Sequence, residues 1–308
     1  MKRTIALFVL ISGLALSGCN SNNHDTVVDT VIDLTSVSSV SETVTSVTES
    51  TSGTSSETTE KHSFKNEYGV FLSFEGKLDK LADYHTVVID AQYYGKEEIE
   101  AFKGEGHKVL SYINIGSLED FRSYYKRFRS LKLGRYENWD EEIWIDVSDS
   151  NWQAFITEEM IPDLTAKGID GFFVDNCDVY YNYPREDILT GLSNMMKAMR
   201  KTGLQVLING GDKYLDAYCK TGGSWDDVIS GINQENVFAK ILWDKNGFGR
   251  ADPEDHEYFK DYIERYADKG ADIYLLEYTK DQELISEIKE YCESKGFSYY
   301  VSDSVELD

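Results

Sequence analysis

Short apolar runs recur from residue 68 onward, separated by longer stretches whose apolar residues fall on one helical face. The runs predict strands at 68–73, 86–90, 108–114, 170–175, 205–209, 228–235, 272–278 and 298–302. They read as near-continuous apolar segments, the pattern of parallel strands covered on both sides. Between them, Trp152, Phe155, Ile156, Ile161 and Leu164 share one face of a helix, and Ile188, Leu192, Met195, Met196 and Met199 share one face of another. Gly168, Gly203, Gly270 and Gly296 stand at the ends of helical stretches, where glycine takes the left-handed turn that stops a helix. Eight such units over residues 62–308, close to the roughly 250 residues of a (β/α)8 TIM barrel, predict that fold within the α/β class. An open doubly wound sheet fits less well, because no G-x-G-x-x-G turn follows any run. The stretch 118–150 is long for a strand-to-helix connection. It predicts an inserted helix over 118–128 and a short strand over 144–147 capping the barrel mouth.

The first sixty residues follow a different pattern. Lys2 and Arg3 precede an apolar run over 5–16, too short for an ordinary membrane span, and the run ends in Leu16-Ser17-Gly18-Cys19. This arrangement resembles the lipobox of bacterial lipoproteins. It implies a signal peptide over 1–18, cleaved ahead of a lipidated Cys19. Ser and Thr fill 17 of the 25 positions 35–59, with no aromatic or basic residue, so residues 19–61 read as a disordered tether. The expected location is the outside of the cell envelope, with the domain held to the lipid bilayer through the acylated Cys19.

Charge narrows the partners. The 308 residues include 31 Lys and Arg against 55 Asp and Glu, a net charge of -24. Two of the basic and seven of the acidic residues precede position 61, which leaves 29 and 48 in the folded part, a net of -19. Nucleic acid is not an expected partner, since phosphate neutralisation needs a basic surface. An acidic excess serves solubility or matches a cationic substrate. Three Pro and four Cys exclude collagen-like and disulfide-framework chains.

The apolar runs end in polar groups: Asp90 with Gln92 and Tyr93, Tyr112 with Asn114, Asp175 with Asn176 and Asp178, Asn209, Gln234 with Glu235, and Glu277 with Tyr278. In a barrel all these ends converge on one face. A single Asp after a strand is ordinarily a helix cap or turn former. Six strands ending this way, in amides and phenols as well as acids, point to a site for a polyhydroxylated substrate. Glycoside cleavage needs two carboxyl groups flanking one bond, and Asp90, Asp175, Glu235 and Glu277 are the candidates. No metal or cofactor is expected. None of the five His ends a strand, Cys177, Cys219 and Cys292 lack zinc-site spacing, and there is no P-loop or G-x-S-x-G elbow.

The segments Ser111-Tyr-Ile-Asn-Ile-Gly116 with Glu119, Gly168-Ile-Asp-Gly-Phe-Phe-Val-Asp-Asn176 with Asp178 and Tyr180, Asn233-Gln-Glu235, and Glu277-Tyr278 together resemble glycoside hydrolase family 114 over residues 66–303. The resemblance implies a TIM barrel with endo-α-1,4-polygalactosaminidase activity, and Asp175 and Glu235, at the ends of the fourth and sixth strands, as the catalytic pair. It maps Asp90, Asn114, Asn209 and Glu277 as substrate contacts, beside Tyr93, Tyr112, Asn176, Asp178, Gln234 and Tyr278 from the strand-end pattern. The crowding of Asp175 by Asp178 and Asn176 favours Asp175 as nucleophile and Glu235 as acid/base. A separation of about 5–5.5 Å would mean retention of configuration, and about 6.5–9.5 Å inversion. Galactosamine polymers without acetyl groups are polycations, which gives the acidic charge a candidate partner. Two other readings stand beside this one: a non-catalytic carbohydrate-binding lipoprotein using the same mouth, and a barrel hydrolase for another glycan. Trp225 and Trp243 are expected to pack between helices.

Overall fold

The computed structural model describes residues 63–137 and 139–308; the signal peptide, Cys19 and the tether lie outside the described residues. Eight parallel strands form one sheet: β1 (Asn66–Phe71), β2 (Tyr84–Ile89), β3 (Lys108–Asn114), β4 (Gly171–Asp175), β5 (Gln205–Asn209), β6 (Gly231–Glu235), β7 (Asp272–Tyr278) and β8 (Ser298–Ser302). Each pairs with the next in chain order, and β1 lies against β8, so the sheet curls into a nearly closed (β/α)8 barrel. The four glycine stops Gly168, Gly203, Gly270 and Gly296 adopt φ of 85°, 78°, 96° and 71°, ending their helices as expected.

Side chains alternate across each strand, and the alternation separates two cores. Tyr68, Val70, Val88, Leu110, Tyr112, Phe173, Leu207, Leu276 and Tyr278 fill the barrel interior. Val87, Val109, Phe172, Val174, Val206, Ile208, Ile232, Ile273 and Leu275 face outward. There they meet helices such as Glu186–Lys201, whose Ile188, Leu192, Met195, Met196 and Met199 are all fully buried. Both faces of the strands are thus apolar, which is why the sequence shows runs and not alternation.

Two insertions build the mouth. The expected helix over 118–128 is not present. Ser117–Glu119 is a strand, and only Tyr125–Phe128 is α-helical. The backbone there is satisfied across the chain: Ser117–Glu119 pairs antiparallel with Glu142–Ile145, which pairs with Lys132–Arg135. The expected capping strand therefore begins two residues earlier and is the middle of a three-stranded sheet. A second insertion, unanticipated from the sequence, is the hairpin of Ala239–Leu242 with Gly247–Arg250 directly after β6. Its Ile241 and Phe248 pack against the barrel interior, beside Phe121 of the first insertion and Val305 of the C-terminal segment.

Candidate active site

The inward positions at the C-terminal strand ends are Tyr112 and Asn114 of β3, Asp175 of β4, Asn209 of β5, Asn233 and Glu235 of β6, and Tyr278 of β7. Asn209 joins the two acids: its Nδ2 donates to Asp175 Oδ1 at 3.0 Å and to Glu235 Oε1 at 2.7 Å. Because one nitrogen reaches both, these oxygens are no more than about 6 Å apart, nearer to the retaining than to the inverting spacing. Asp175 also accepts the backbone N–H of Asn176 at 2.9 Å and the Tyr112 hydroxyl at 3.2 Å. Glu235 Oε2, by contrast, is buried without a hydrogen-bond partner. A relay from deeper in the barrel sets the Asn209 amide. Tyr68 donates to Asn233 Oδ1 at 3.1 Å, and Asn233 Nδ2 donates to Asn209 Oδ1 at 2.7 Å.

Asp175 and Glu235 are 1% and 2% exposed, and burial dominates their acidity. Loss of water pushes the Asp175 carboxyl up to about 7, held back by its bonds from Asn209, Asn176 and Tyr112. Burial drives Glu235 well above the usual carboxylate range. The Asn209 bond and the nearby Tyr278 phenol offset this in part, while the charge of Asp175 adds to it. The two acids are therefore differentiated: Asp175 has four donors in reach and is raised to about 7, whereas Glu235 is held by Asn209 and the nearby Tyr278 phenol alone and burial raises it well above the usual carboxylate range.

Around the pair lie residues that strand-end reasoning did not single out. Arg122, 5% exposed, makes a fork to Glu119, with Nε to Oε2 and Nη2 to Oε1 both at 2.9 Å, and reaches Asp90 Oδ2 at 2.6 Å. Tyr112 donates to Glu119 as well as to Asp175, so this ion-pair cluster supports the phenol that touches the candidate nucleophile. Glu142 takes bonds from the Ser117 hydroxyl, from Asn114 Nδ2 at 2.9 Å and from Asn176 Nδ2 at 3.2 Å. Burial, with the charge of Glu119, pushes its carboxyl well up. Arg122 and Glu142 come from the first insertion, and no spacing rule along the chain would have brought either to the site.

Of the expected contacts, Tyr112, Asn114, Asn176, Asn209 and Tyr278 meet around the acids. Asp178 is buried beside them, raised by burial and by the charges of Asp212 and Asp175. Asp90 is engaged by Arg122, and Tyr93 stands at the rim, 45% exposed. Glu277 and Gln234 have outward parity, since Tyr278 and Glu235 take the inward positions beside them. Glu277 accepts the backbone N–H of Phe238 at 3.1 Å and of Ala239 at 2.8 Å, which anchors the second hairpin, and burial pushes its carboxyl up to about 8. Its carboxylate is occupied by the protein's own backbone and is not available as a substrate contact in this arrangement. Gln234 bonds the Glu235 carbonyl at 3.0 Å, and its Oε1 is buried without a partner. Trp225 packs edge-on against Tyr266 as expected, whereas Trp243 is 37% exposed.

The structure is similar to the glycoside hydrolase domain of PelA from Pseudomonas aeruginosa, with a TM-score of 0.65 and 17% identity, covering 79% of this chain and 96% of that one. It is also similar to Ega3 from Aspergillus fumigatus, solved in complex with galactosamine, with a TM-score of 0.62 and 17% identity over 79% of this chain and 92% of that one. A Thermotoga maritima protein is 23% identical over 275 residues, 80% of this chain and 81% of its own length. The model of glycoside-hydrolase family GH114 matches residues 47–308. With the barrel and its carboxylate-lined mouth, this match establishes that the chain belongs to glycoside-hydrolase family GH114.

Proposed function

We propose that this hydrolase cleaves α-1,4-linked galactosamine-containing polysaccharide within the chain, using Asp175 and Glu235. The observation that carries the mechanism is the shared Asn209 amide, which holds both carboxyls within reach of one glycosidic bond. Asp175 attacks the anomeric carbon as Glu235 gives its proton to the departing glycosidic oxygen. A water then loses its proton to the Glu235 carboxylate, attacks the same carbon and releases Asp175, with net retention. Capture of galactosamine by Ega3, together with the acidic charge of this chain, supports an amino-sugar polymer as substrate. The lipobox-like Leu16–Cys19 segment supports export and lipid anchoring at the envelope surface, which loss of palmitate labelling in Cys19→Ala would test.

The decisive experiment measures new reducing ends from de-N-acetylated galactosaminogalactan and from neutral glycans in parallel. Cleavage of the first with α-configured initial product is expected, and Asp175→Asn or Glu235→Gln should lower kcat about 10³-fold or more. An initial β product would remove Asp175 as nucleophile. Binding without new ends would leave the carbohydrate-binding reading in place of the enzyme.

A further inference from the structure

The Tyr112 hydroxyl has one proton and stands between two carboxyl groups. It lies 3.3 Å from Glu119 Oε1 and 3.2 Å from Asp175 Oδ2, and a phenol O–H donates to one acceptor at a time. All three side chains are buried. Distance alone does not choose between the acceptors.

Arg122 makes them unequal. Its Nε donates to Glu119 Oε2 and its Nη2 to Glu119 Oε1, so the oxygen nearest the phenol already takes a bond from a charged donor at 2.9 Å. Besides the phenol, Asp175 Oδ2 accepts only a long bond from Asn176 Nδ2 at 3.4 Å. The guanidinium lies 5.9 Å from the centre of the Tyr112 ring and is held in turn by Asp90, with Nη1 to Oδ2 at 2.6 Å. The other titratable groups facing Asp175 are Glu142 and Tyr136 of the first insertion, Cys177 and Asp178 after β4, Glu235 of β6 and Tyr278 of β7, none of them cationic. Burial raises the Asp175 carboxyl, the Glu119 charge adds to the rise, and the Tyr112 bond opposes it.

We propose that Arg122 is a positioning residue for Asp175: its fork occupies both oxygens of Glu119 and thereby directs the single Tyr112 proton to Asp175 Oδ2. The proposal rests on the reading of Asp175 as nucleophile and adds to it the device that supplies one of the nucleophile's donors. Loss of the fork frees Glu119 to compete for the phenol proton. Asp175 then loses a donor to its charged form and takes up its own proton at higher pH. Lys cannot replace Arg here, because one ammonium does not reproduce the planar fork.

The test follows Asp175 directly, by carboxyl-carbon NMR titration of the full chain, with the signal assigned by its loss in Asp175→Asn. Tyr112→Phe is expected to raise the midpoint by about one pH unit, and Arg122→Lys by about half a unit. Glu119→Gln, which substitutes a weaker and uncharged acceptor, should lower it by about half a unit. Added to Tyr112→Phe, Arg122→Lys should cause no further change, since no phenol proton remains to direct. A midpoint unmoved in folded Arg122→Lys, or moved equally with and without the phenol, overturns the proposal. Where Arg122→Lys fails to fold, Glu119→Gln decides alone, and an unmoved or raised midpoint there overturns it. On a glycan that the wild type cleaves, the acid limb of kcat/KM should move with the midpoint. Midpoints that shift as expected while the limb stays fixed would remove Asp175 as nucleophile and uphold the assignment of the proton.

Discussion

Asn233 donates its side-chain N–H to the Asn209 carbonyl oxygen at 2.7 Å, and that single bond determines which end of the Asn209 amide faces the two acids. With the oxygen engaged, only the NH2 group can point at Asp175 and Glu235, where it donates to both. Asn233→Ala removes this constraint and leaves the Asn209 oxygen and the Tyr68 hydroxyl without their partners. Expected is a fall in kcat of about 10-fold or more, with KM changing less, and a stability loss of about 1–3 kcal/mol. Steady-state kinetics and thermal unfolding check both. A purely structural role for Asn233 would lower stability and leave the kcat of the folded enzyme unmoved.

Burial also gives the site an unusual dependence of stability on pH. Asp175 is raised to about 7, Glu277 to about 8, and Glu235 in the same direction. Unfolded carboxyls release their protons near pH 4, so between that value and about 8 the folded enzyme holds protons that the unfolded chain has lost. Stability therefore falls as pH rises through this window and is greatest at its acidic end. Glu235→Gln should flatten the fall. Its oxygen can take the Asn209 bond, and its NH2 fills the place of the orphaned Oε2 without bringing a charge. At pH 8 the variant should be inactive yet more stable by about 1 kcal/mol, or about 2–4 °C in Tm. A variant that melts below the wild type at that pH would contradict this account.

The strands were legible because burial on both faces leaves apolar runs, and the inward acids and amides stood at their ends. What the runs conceal is parity. Gln234 beside Glu235, and Glu277 beside Tyr278, look alike in sequence, yet a shift of one residue exchanges barrel interior for helix side. Glu277 consequently binds the backbone of the second hairpin. Arg122 and Glu142 were hidden for another reason. Their positions depend on antiparallel pairing within the insertion, where Glu119 lies opposite Glu142, and the apolar spacing of 118–128 imitates a helix.

One motif residue acquires a physical explanation. A Cβ on Gly116 would sit 1.7 Å from the carbonyl oxygen of Asn176, which itself holds φ at 64° beside Asp175. The glycine lets the turn after β3 pass against the turn after β4. Gly116→Ala must push Asn176 away, and with it the N–H that Asp175 accepts. A displacement of about 1 Å at a catalytic group costs about 100-fold in rate, so kcat should fall by that order, with about 1–3 kcal/mol of stability lost to overpacking. Wild-type kcat in the alanine variant would show that the loops can separate without disturbing the acid.

The charge of the folded part can be tested separately from the chemistry. Its net of -19 would draw a polycation toward the mouth and raise the encounter rate. Salt shortens the reach of this field from about 10 Å at 0.1 M to about 3 Å at 1 M. The buried acids are screened far less than the surface, so kcat should stay nearly constant while kcat/KM on de-N-acetylated polymer falls roughly tenfold across that range. Fully acetylated polymer is the control, because it carries no charge for the field to act on. Equal salt responses on the two polymers would assign the acidic surface to solubility alone, whereas a fall confined to the deacetylated one would tie the charge to the substrate.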